Sequence, residues 1–278
     1  MKVRPPETVT ARRPNILWYC TDQQRFDTIR ALGNDHIETP NLDRMKGSGV
    51  AFTRTYAQSP VCTPSRASFL TGRYPASTHV HRNGAAHFPD GETLVTKLLA
   101  DAGYDCGLIG KLHLASAAGG VEPRTDDGYR LFEYSHHPMP PGDPAHNAYH
   151  RWLIGEQNVD PVDLYASVRS FCCAGVPAEH HQTTWATELA LRFIDEERDR
   201  PWLLSVNVFD PHPPFDPPQE NLDRIDAAAL PPPLFRPSDI ERQVAFRLIS
   251  QQATVAVDPN GVNVAPPNNG EAQADTAM

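Results

Sequence analysis

The chain has 278 residues, 40% of them hydrophobic, and a formal net charge of -9 at pH 7. This length and apolar content are enough for one large domain with a substantial core, and the negative charge argues against a nucleic-acid-binding surface. The first residues lack the apolar segment of a secretory signal and no apolar run is long enough to span a membrane, which predicts a cytoplasmic protein without a membrane partner. The five cysteines, of which Cys172 and Cys173 are adjacent, do not indicate a paired disulfide framework.

The first part of the chain alternates predicted strands and helices. The apolar run over 15–21 predicts a buried strand, and Pro40 suits the first turn of a short helix. A second helix is predicted to begin near Pro64. A third covers 92–102, where the leucines at 94, 98 and 99 form one face and Gly103 ends the helix. A strand over 104–110 follows.

The rest of the chain continues this alternation. Residues 115–182 are rich in Gly, Pro and His, which predicts long loops with short helices where binding specificity would lie. A helix is predicted from Thr183 to Arg198 with Trp185 and Phe193 on its packed face, and a buried strand follows Pro201. The whole pattern predicts an α/β fold with a mainly parallel central sheet flanked by helices.

Two polar residues, Asp22 and Gln23, follow the first predicted strand at once. Proteins with α/β folds place their sites beyond the carboxyl ends of parallel strands, and Ca²⁺ or Mg²⁺ prefers oxygen ligands such as a carboxylate and an amide. The pair therefore predicts one side of a divalent metal site. The other interpretation is that Asp22 caps a helix or a turn, because Asp is favoured at such positions.

The most informative run is Cys62-Thr63-Pro64-Ser65-Arg66, which continues into residues 59–61 on one side and 67–75 on the other. It resembles the first signature of the type I sulfatases, which belong to the alkaline phosphatase superfamily. Two other interpretations of Cys62 stay open: a free cysteine that only packs in a core, and a thiolate nucleophile whose pKa Arg66 lowers. Neither of them accounts for the rest of the signature.

The resemblance implies that a formylglycine-generating enzyme oxidises Cys62 to formylglycine, whose hydrated aldehyde supplies the oxygen that attacks sulfur while Arg66 stabilises it. Residue 62 would then bind the metal together with Asp22 and Gln23, with Ca²⁺ as the first choice and Mg²⁺ or Mn²⁺ as alternatives. Most sulfatases carry two successive aspartates where this chain has Asp22-Gln23. That departure resembles the subgroup with choline-sulfatase-like and phosphonate monoester hydrolase-like members.

The segment Gly110-Lys111-Leu112-His113 resembles the family's strand that ends in Gly-Lys-x-His. Two side chains that are two apart in an extended segment point the same way. An ammonium group can bind a sulfate oxygen and an imidazole can move a proton. The resemblance assigns Lys111 to the nucleophile and the sulfate, and His113 to the deprotonation of the diol when the sulfated intermediate collapses. By itself the pair would be a solvated strand end.

Two further residues are assigned by resemblance to the substrate. His212 lies in a run braced by Pro211, Pro213 and Pro214, which resembles the family's His-Pro loop. Its imidazole would face the sulfate and the oxygen of the leaving alcohol. Asn83 matches a substrate-facing asparagine of the same subgroup, although Asn83-Gly84 is also a turn signal.

The chain departs from the family beyond Ile240, where it has no Asp-His-Gly segment to supply the later metal ligands. The resemblance covers about residues 12–245 and implies a sulfatase catalytic domain over 12–250 that is truncated at its C-terminus, after an extension over 1–11. Residues 251–278 contain no Lys, Arg or His and have the composition of a disordered tail. A sheet without its later strands would expose an edge, which predicts self-association into a homo-oligomer.

The function expected from the resemblance is hydrolysis of a small-molecule sulfate ester, impaired by the missing segment. A phosphonate or phosphate diester hydrolase would share Asp22, Gln23, Cys62 and Asn83, whereas Lys111 with His113 favours sulfate. A third interpretation is an inactive sulfatase fragment, or a protein that only binds anions.

Overall fold

The computed structural model describes residues 13–117, 120–140, 144–168 and 172–232, together with 236 and 238. The predicted extension over 1–11 and the predicted tail over 251–278 lie outside these residues, so both boundaries stay predictions. The described chain contains four strands: β1 (Ile16–Cys20), β2 (Asp105–Gly110), β3 (Leu131–Tyr134) and β4 (Trp202–Asn207). The helices lie between and after them.

The helices of the first part are α1 (Pro40–Ser48), α2 (Cys62–Thr71), α3 (Pro75–Thr78) and α4 (Val95–Asp101). The later ones are α5 (Ala148–Gly155), α6 (Pro161–Tyr165), α7 (Gln182–Asp195) and α8 (Gln219–Leu222). Short 3-10 turns cover Arg30–Leu32, Ala178–His180 and Ala227–Ala229.

The four strands form one sheet in the order β1-β4-β2-β3, and every neighbouring pair is parallel. The register places Cys20 and Gly110 on either side of Asn207, so three strands end at the same level. The predicted α/β fold with a parallel sheet and flanking helices is confirmed. A parallel sheet brings all its carboxyl ends to one edge, and that edge is where such folds place their sites.

A hydrophobic core lies on each face of the sheet. One contains side chains of α5 and α7, such as Trp152, Trp185 and Phe193, packed against alternate sheet residues. The other contains Ala67 and Leu70 of α2 with Leu94 and the opposite alternate residues. β2 is buried along its whole length because both faces are covered, as expected of a central parallel strand.

The prediction that the first strand is buried is wrong for its centre. In β1, Leu17, Trp18 and Tyr19 are 52%, 39% and 50% exposed. β1 is an edge strand paired with β4, and the only residue of 13–62 that is buried is Asp22. The apolar run thus correctly predicted a strand. Its composition also predicted burial, but the described residues leave the centre of the strand partly exposed. The exposed edge is the feature on which the predicted homo-oligomer depends.

The predicted helices exist with shifted ends. The helices expected at Pro40, near Pro64, over 92–102 and over 183–198 are α1, α2, α4 and α7. The leucine face predicted for α4 is wrong in part: Leu94 is buried just before the helix, whereas Leu98 is 58% exposed and Thr96 is the buried residue within it. The short strand β3 lies in the segment that the sequence assigned to loops and short helices.

All five cysteines lie among the described residues, and the structure shows no disulfide bond there. Within the described ranges no helix combines the length and the apolar character that a bilayer crossing would require.

We predict that Gly110→Ala destabilises the fold. Gly110 ends β2 with φ of +101°, and a Cβ there would lie 2.0 Å from the carbonyl oxygen of Asn207 in β4. Overlap with backbone and a left-handed φ should together lower the free energy of unfolding by at least about 2 kcal/mol in urea titrations. Gly47→Ala is the control, because a Cβ at Gly47 in α1 meets nothing within 4 Å; it should raise stability by about 0.5–1 kcal/mol. Equal effects of the two substitutions would contradict the prediction.

Candidate active site

The candidate residues follow the carboxyl ends of three neighbouring strands. Asp22 lies two residues after β1, Lys111 directly follows β2, and His212 lies five residues beyond β4. Lys111 is tied to the end of β4, because its N–H donates to the carbonyl of Asn207 at 2.9 Å and its own carbonyl accepts from the Asn207 side-chain amide at 2.8 Å. The parallel register therefore carries these residues to one edge of the sheet.

Helix α2 brings the signature cysteine to the same edge. Cys62 is the first residue of α2 and Arg66 lies one turn later, so the two share a face of the helix. Thr63, Ala67 and Leu70 are buried and hold the helix against the sheet. The helix ends at Gly72, whose φ of +68° is the left-handed conformation that closes many helices. The positive end of the α2 helix dipole therefore lies at residue 62.

Three charged side chains meet at the centre of the site. The carboxylate oxygen Oδ2 of Asp22 is 2.9 Å from Nζ of Lys111 and 3.2 Å from Nη2 of Arg66. Arg66 also donates through Nη1 to the carbonyl oxygen of Lys111 at 3.0 Å. All three side chains are buried, Lys111 completely. We call Asp22, Lys111 and Arg66 the ion triad.

The triad keeps Asp22 ionised. Burial raises the pKa of this carboxyl group, but the charges of Lys111, Arg66 and His212 outweigh burial, and the pKa lies below its usual value. The contacts of the carboxylate within the triad do not favour the alternative interpretation of Asp22 as a helix or turn cap.

The extended geometry expected for Lys111 and His113 is wrong. The strand ends at Gly110, and His113 has φ of +55°, so the chain turns between the two residues. Glu122 causes this local course: its carboxylate accepts the backbone N–H of His113 at 2.7 Å and that of Ala115 at 3.0 Å. Burial raises the pKa of Glu122, and this effect is larger than the lowering of the pKa by these N–H groups. Lys111 enters the ion triad, whereas the His113 ring packs elsewhere.

The ring of His113 packs against a histidine that the sequence reasoning did not single out. His136 follows β3, is buried, and lies edge-to-face with His113 at 4.4 Å between ring centroids. Its neighbour Ser135 donates its N–H to the carbonyl of Gly110 at 3.1 Å, which ties this turn to the end of β2. The only signal in the sequence was the Ser135-His136-His137 run, and it was missed because β3 itself was not predicted.

The His212 loop is fixed at one ring nitrogen. Nδ1 of His212 donates to the carbonyl of Pro213 at 2.7 Å, since a carbonyl can only accept. In the neutral ring this leaves Nε2 as the proton acceptor. His212 is partly buried and its ring packs 4.5 Å from that of Phe209. The predicted proton-transfer role therefore falls to Nε2.

Asn83 lies at the start of α2. Its side-chain oxygen accepts the backbone N–H of Thr63 at 3.0 Å, next to Cys62. In this structure Asn83 thus caps the helix that carries the signature cysteine. Its assignment to the substrate stays a prediction.

The described residues do not by themselves fit a divalent metal. Asp22 offers one buried carboxylate, and its oxygen Oδ2 already pairs with Lys111 and Arg66. Gln23 has φ of +58° and an exposed side chain. Among the described residues no group of three or more His, Cys, Asp or Glu side chains could hold an ion. The assignment of Asp22, Gln23 and Cys62 to a metal stays a prediction, and no chemical step below depends on an ion.

The described residues thus bring a buried ion triad and the start of the signature helix to one edge of a parallel sheet. Comparison with known proteins then identifies the family. The model of the sulfatase family matches residues 14–226, so the chain belongs to the sulfatase family and represents its N-terminal portion.

Two curated relatives and one solved structure agree with this assignment. An arylsulfatase of Clostridium perfringens is 31% identical over 237 residues, which are 80% of this chain and 48% of that protein. The steryl-sulfatase of Homo sapiens is 38% identical over 143 residues, 48% of this chain and 23% of that protein. The phosphonate monoester hydrolase of Agrobacterium radiobacter has the same fold, with a TM-score of 0.67, 23% identity, and coverage of 95% of this chain and 55% of that one. The chain therefore spans about half the length of these proteins or less.

We predict that Asp216, in the segment after His212, makes stability depend on pH. Burial and then the charge of Asp210 raise its pKa to about 7. Between its ordinary value of 3.8 and 7 the folded state keeps a proton that the unfolded state has lost, so stability falls as pH rises. Asp216→Asn should match wild type near about pH 4 and be more stable near about pH 8 by on the order of 3 kcal/mol in urea titrations.

Asp199→Asn serves as the control, because the Asp199 side chain is 94% exposed. It should leave the pH dependence unchanged. If Asp216→Asn is no more stable than wild type at the higher pH, folding does not raise the pKa of Asp216 and the prediction fails.

Proposed function

We propose that this chain is the N-terminal part of a sulfuric ester hydrolase that uses residue 62 as its nucleophile. The observation that carries this proposal is the meeting of the signature helix with the strand ends: Arg66, one turn after Cys62, contacts both Asp22 and the carbonyl of Lys111. Membership in the sulfatase family and the arylsulfatase relative support the reaction class. The sulfatases act on small-molecule sulfate esters, and a substrate of that kind is proposed here.

We propose that Cys62 is converted to formylglycine by a formylglycine-generating enzyme. The site fits such a group, because residue 62 begins a ten-residue helix and is only half-buried. Formylglycine supplies a hydrated aldehyde whose oxygen attacks sulfur and which needs no separate water to release the enzyme. The helix N-terminus favours negative charge at this position.

The chain's own residues then divide the work. The ammonium group of Lys111 binds a sulfate oxygen and stabilises the charge that develops there, and Arg66 with the helix N-terminus stabilises the oxygen at residue 62. His212 in its imidazolium form gives the proton on Nε2 to the leaving alcohol and becomes the neutral ring whose Nδ1 still donates to the carbonyl of Pro213. His113 takes the proton that is released at residue 62 when sulfate leaves. Asn83 is assigned to the substrate side through its place at the start of α2.

The proposal also assigns Asp22, Gln23 and residue 62 to one side of a divalent metal site, with Ca²⁺ as the first choice and Mg²⁺ or Mn²⁺ as alternatives. The chain spans about half the length of its curated relatives, so the remaining ligands and the activity of the whole protein belong to the proposal.

Specificity for the alcohol is proposed to lie in the segment over 115–182. A cavity of about 290 Å³ is lined there by Glu122, Arg124, Phe132, Tyr134 and Arg151, among others. Glu122 also accepts the backbone N–H of His113, so the cavity shares this residue with the turn that carries His113. Two arginines and two aromatic rings suit a polar ring-bearing substrate.

A second candidate function is hydrolysis of phosphonate monoesters or phosphate diesters. The fold of the Agrobacterium radiobacter phosphonate monoester hydrolase and the Asp22-Gln23 pair favour it. An inactive chain that only binds anions is the third candidate, and a cytoplasmic location stays a prediction.

We predict that Cys62 is modified in cells that contain a formylglycine-generating enzyme. Mass spectrometry of the tryptic peptide should show the sulfur of Cys62 replaced by oxygen with loss of two hydrogens. Cys106 is the internal control, since it is buried and its pKa of about 11 makes it unreactive; it should remain a thiol. An unmodified thiol at residue 62 would remove the proposed nucleophile.

We predict that the chain hydrolyses nitrophenyl sulfate weakly, and faster when fused to the part of the Clostridium perfringens arylsulfatase beyond the matched region. Each missing donor costs about 10²–10³ in rate. In the fusion, Cys62→Ala should abolish turnover and sulfate should be preferred over a phosphonate monoester. A preference for phosphonate would favour the second candidate, and a fusion without turnover of either ester would favour the third.

A further inference from the structure

One residue between β4 and His212 contacts two separate parts of the site. The carboxylate oxygen Oδ2 of Asp210 accepts from the hydroxyl of Thr183 in α7 at 2.6 Å. The carbonyl oxygen of the same residue accepts the backbone N–H of Asp22 at 3.2 Å. Asp210 thus connects the first turn of α7 to the end of β1, and it lies two residues before His212.

The His212 loop is held at its far end by different contacts. The N–H of Cys173 donates to the carbonyl of Phe215 at 3.2 Å, and the N–H of Gly175 donates to that of Pro217 at 2.9 Å. A Cβ at Gly175 would lie 1.8 Å from the carbonyl oxygen of Asp216, so the two segments are in close contact. These contacts fix the part of the loop that follows His212. The position of His212 relative to Asp22 therefore depends on the part that precedes it, which contains Asp210.

We propose that Asp210, held by Thr183, is a positioning residue that fixes the His212 loop against the end of β1. It touches no reacting atom in the proposed chemistry and acts through His212 and Asp22. The Thr183 hydroxyl is the directing contact, because a hydrogen bond to an ionised carboxylate is among the stronger ones in proteins. Nδ1 of His181 caps α7 by accepting the N–H of Thr183 at 3.2 Å, so it has no proton to donate to Oδ2 of Asp210, 3.8 Å away.

We call the hydrogen bond between Thr183 and Asp210 the anchor. Its effect on catalysis rests on the proposed function, whereas its effect on the position of the His212 loop does not. Its test is therefore hydrogen exchange in the chain as it stands. In Thr183→Val, which replaces the hydroxyl with a methyl group of similar size, the amides of Asp22 and His212 should exchange about tenfold faster than in wild type. The amide of Leu108 in the centre of β2 should exchange at the wild-type rate, since the effect is local.

Three variants separate the anchor from general damage to α7. Thr183→Ser keeps the hydroxyl and should restore wild-type exchange. Asp210→Asn keeps an oxygen that can accept from Thr183 and should stay within about threefold of wild type. Thr187→Val removes a hydroxyl one turn further along, which donates to the carbonyl of Thr183 at 2.7 Å, and it should leave the exchange of Asp22 and His212 unchanged.

Unchanged exchange at Asp22 and His212 in Thr183→Val would overturn the proposal. So would equal acceleration in Thr187→Val, or a failure of Thr183→Ser to restore protection. In the fusion protein described above, Thr183→Val should lower kcat about tenfold with KM within about twofold, because the anchor orients His212 and does not bind substrate. If the fusion shows no sulfate ester turnover, the proposed function fails, and the exchange measurements still decide whether the anchor positions the His212 loop.

Discussion

The ion triad is the constraint on which the rest of the site depends. Two cations and a carboxylate are taken out of water at the ends of β1 and β2, and such burial is tolerated only where the groups pair with good geometry. Here Asp22 is 2.9 Å from Lys111 and 3.2 Å from Arg66. Removal of one partner from a buried pair typically costs about 3–5 kcal/mol. The triad therefore fixes α2, and with it residue 62, relative to the sheet.

The triad also explains why a parallel sheet suits this site. The ends of β1, β4 and β2 lie at one level, and Asn207 in the middle strand bonds to Lys111 through both its backbone and its side chain. Each charged group is thus placed by backbone hydrogen bonds rather than by long flexible side chains alone. Rigid placement of this kind is what a reaction that develops charge in its transition state requires.

Much of the fold could be predicted because local sequence patterns mark most of its strands and helices. Apolar runs marked β1, β2 and β4, Pro40 marked the start of α1, and the signature marked α2. β3 was missed because four residues within a loop-rich segment carry too little pattern. The burial of β1 was predicted wrongly, because an apolar run indicates that a strand can be buried but not which segment of the chain will pack on it.

The sequence predicted individual candidate residues for the site, but it did not predict the contacts between them. The family signature marked Cys62 and Arg66, and the polar residues after two strands marked Asp22 and Lys111. The turn at His113 could not be predicted, because it depends on Glu122, nine residues later in the chain. The contacts of His136 and Asp210 are also long-range, and a single sequence contains no local signal for which distant element will meet them.

The burial of Asp22 alone among residues 13–62 has a consequence for how the molecule opens. Besides the ladder between β1 and β4 and the charge contacts at its end, that segment packs on the rest of the structure through few side chains, among them Ile16 and Trp18, so it is a unit of low local stability. Because the pKa of Asp22 is lowered, its contribution is present above the ordinary carboxyl pKa and is lost as pH falls through the lowered value. Strong acid would therefore release the N-terminal strand as a subglobal unfolding event before the two cores on β2 and β4 come apart.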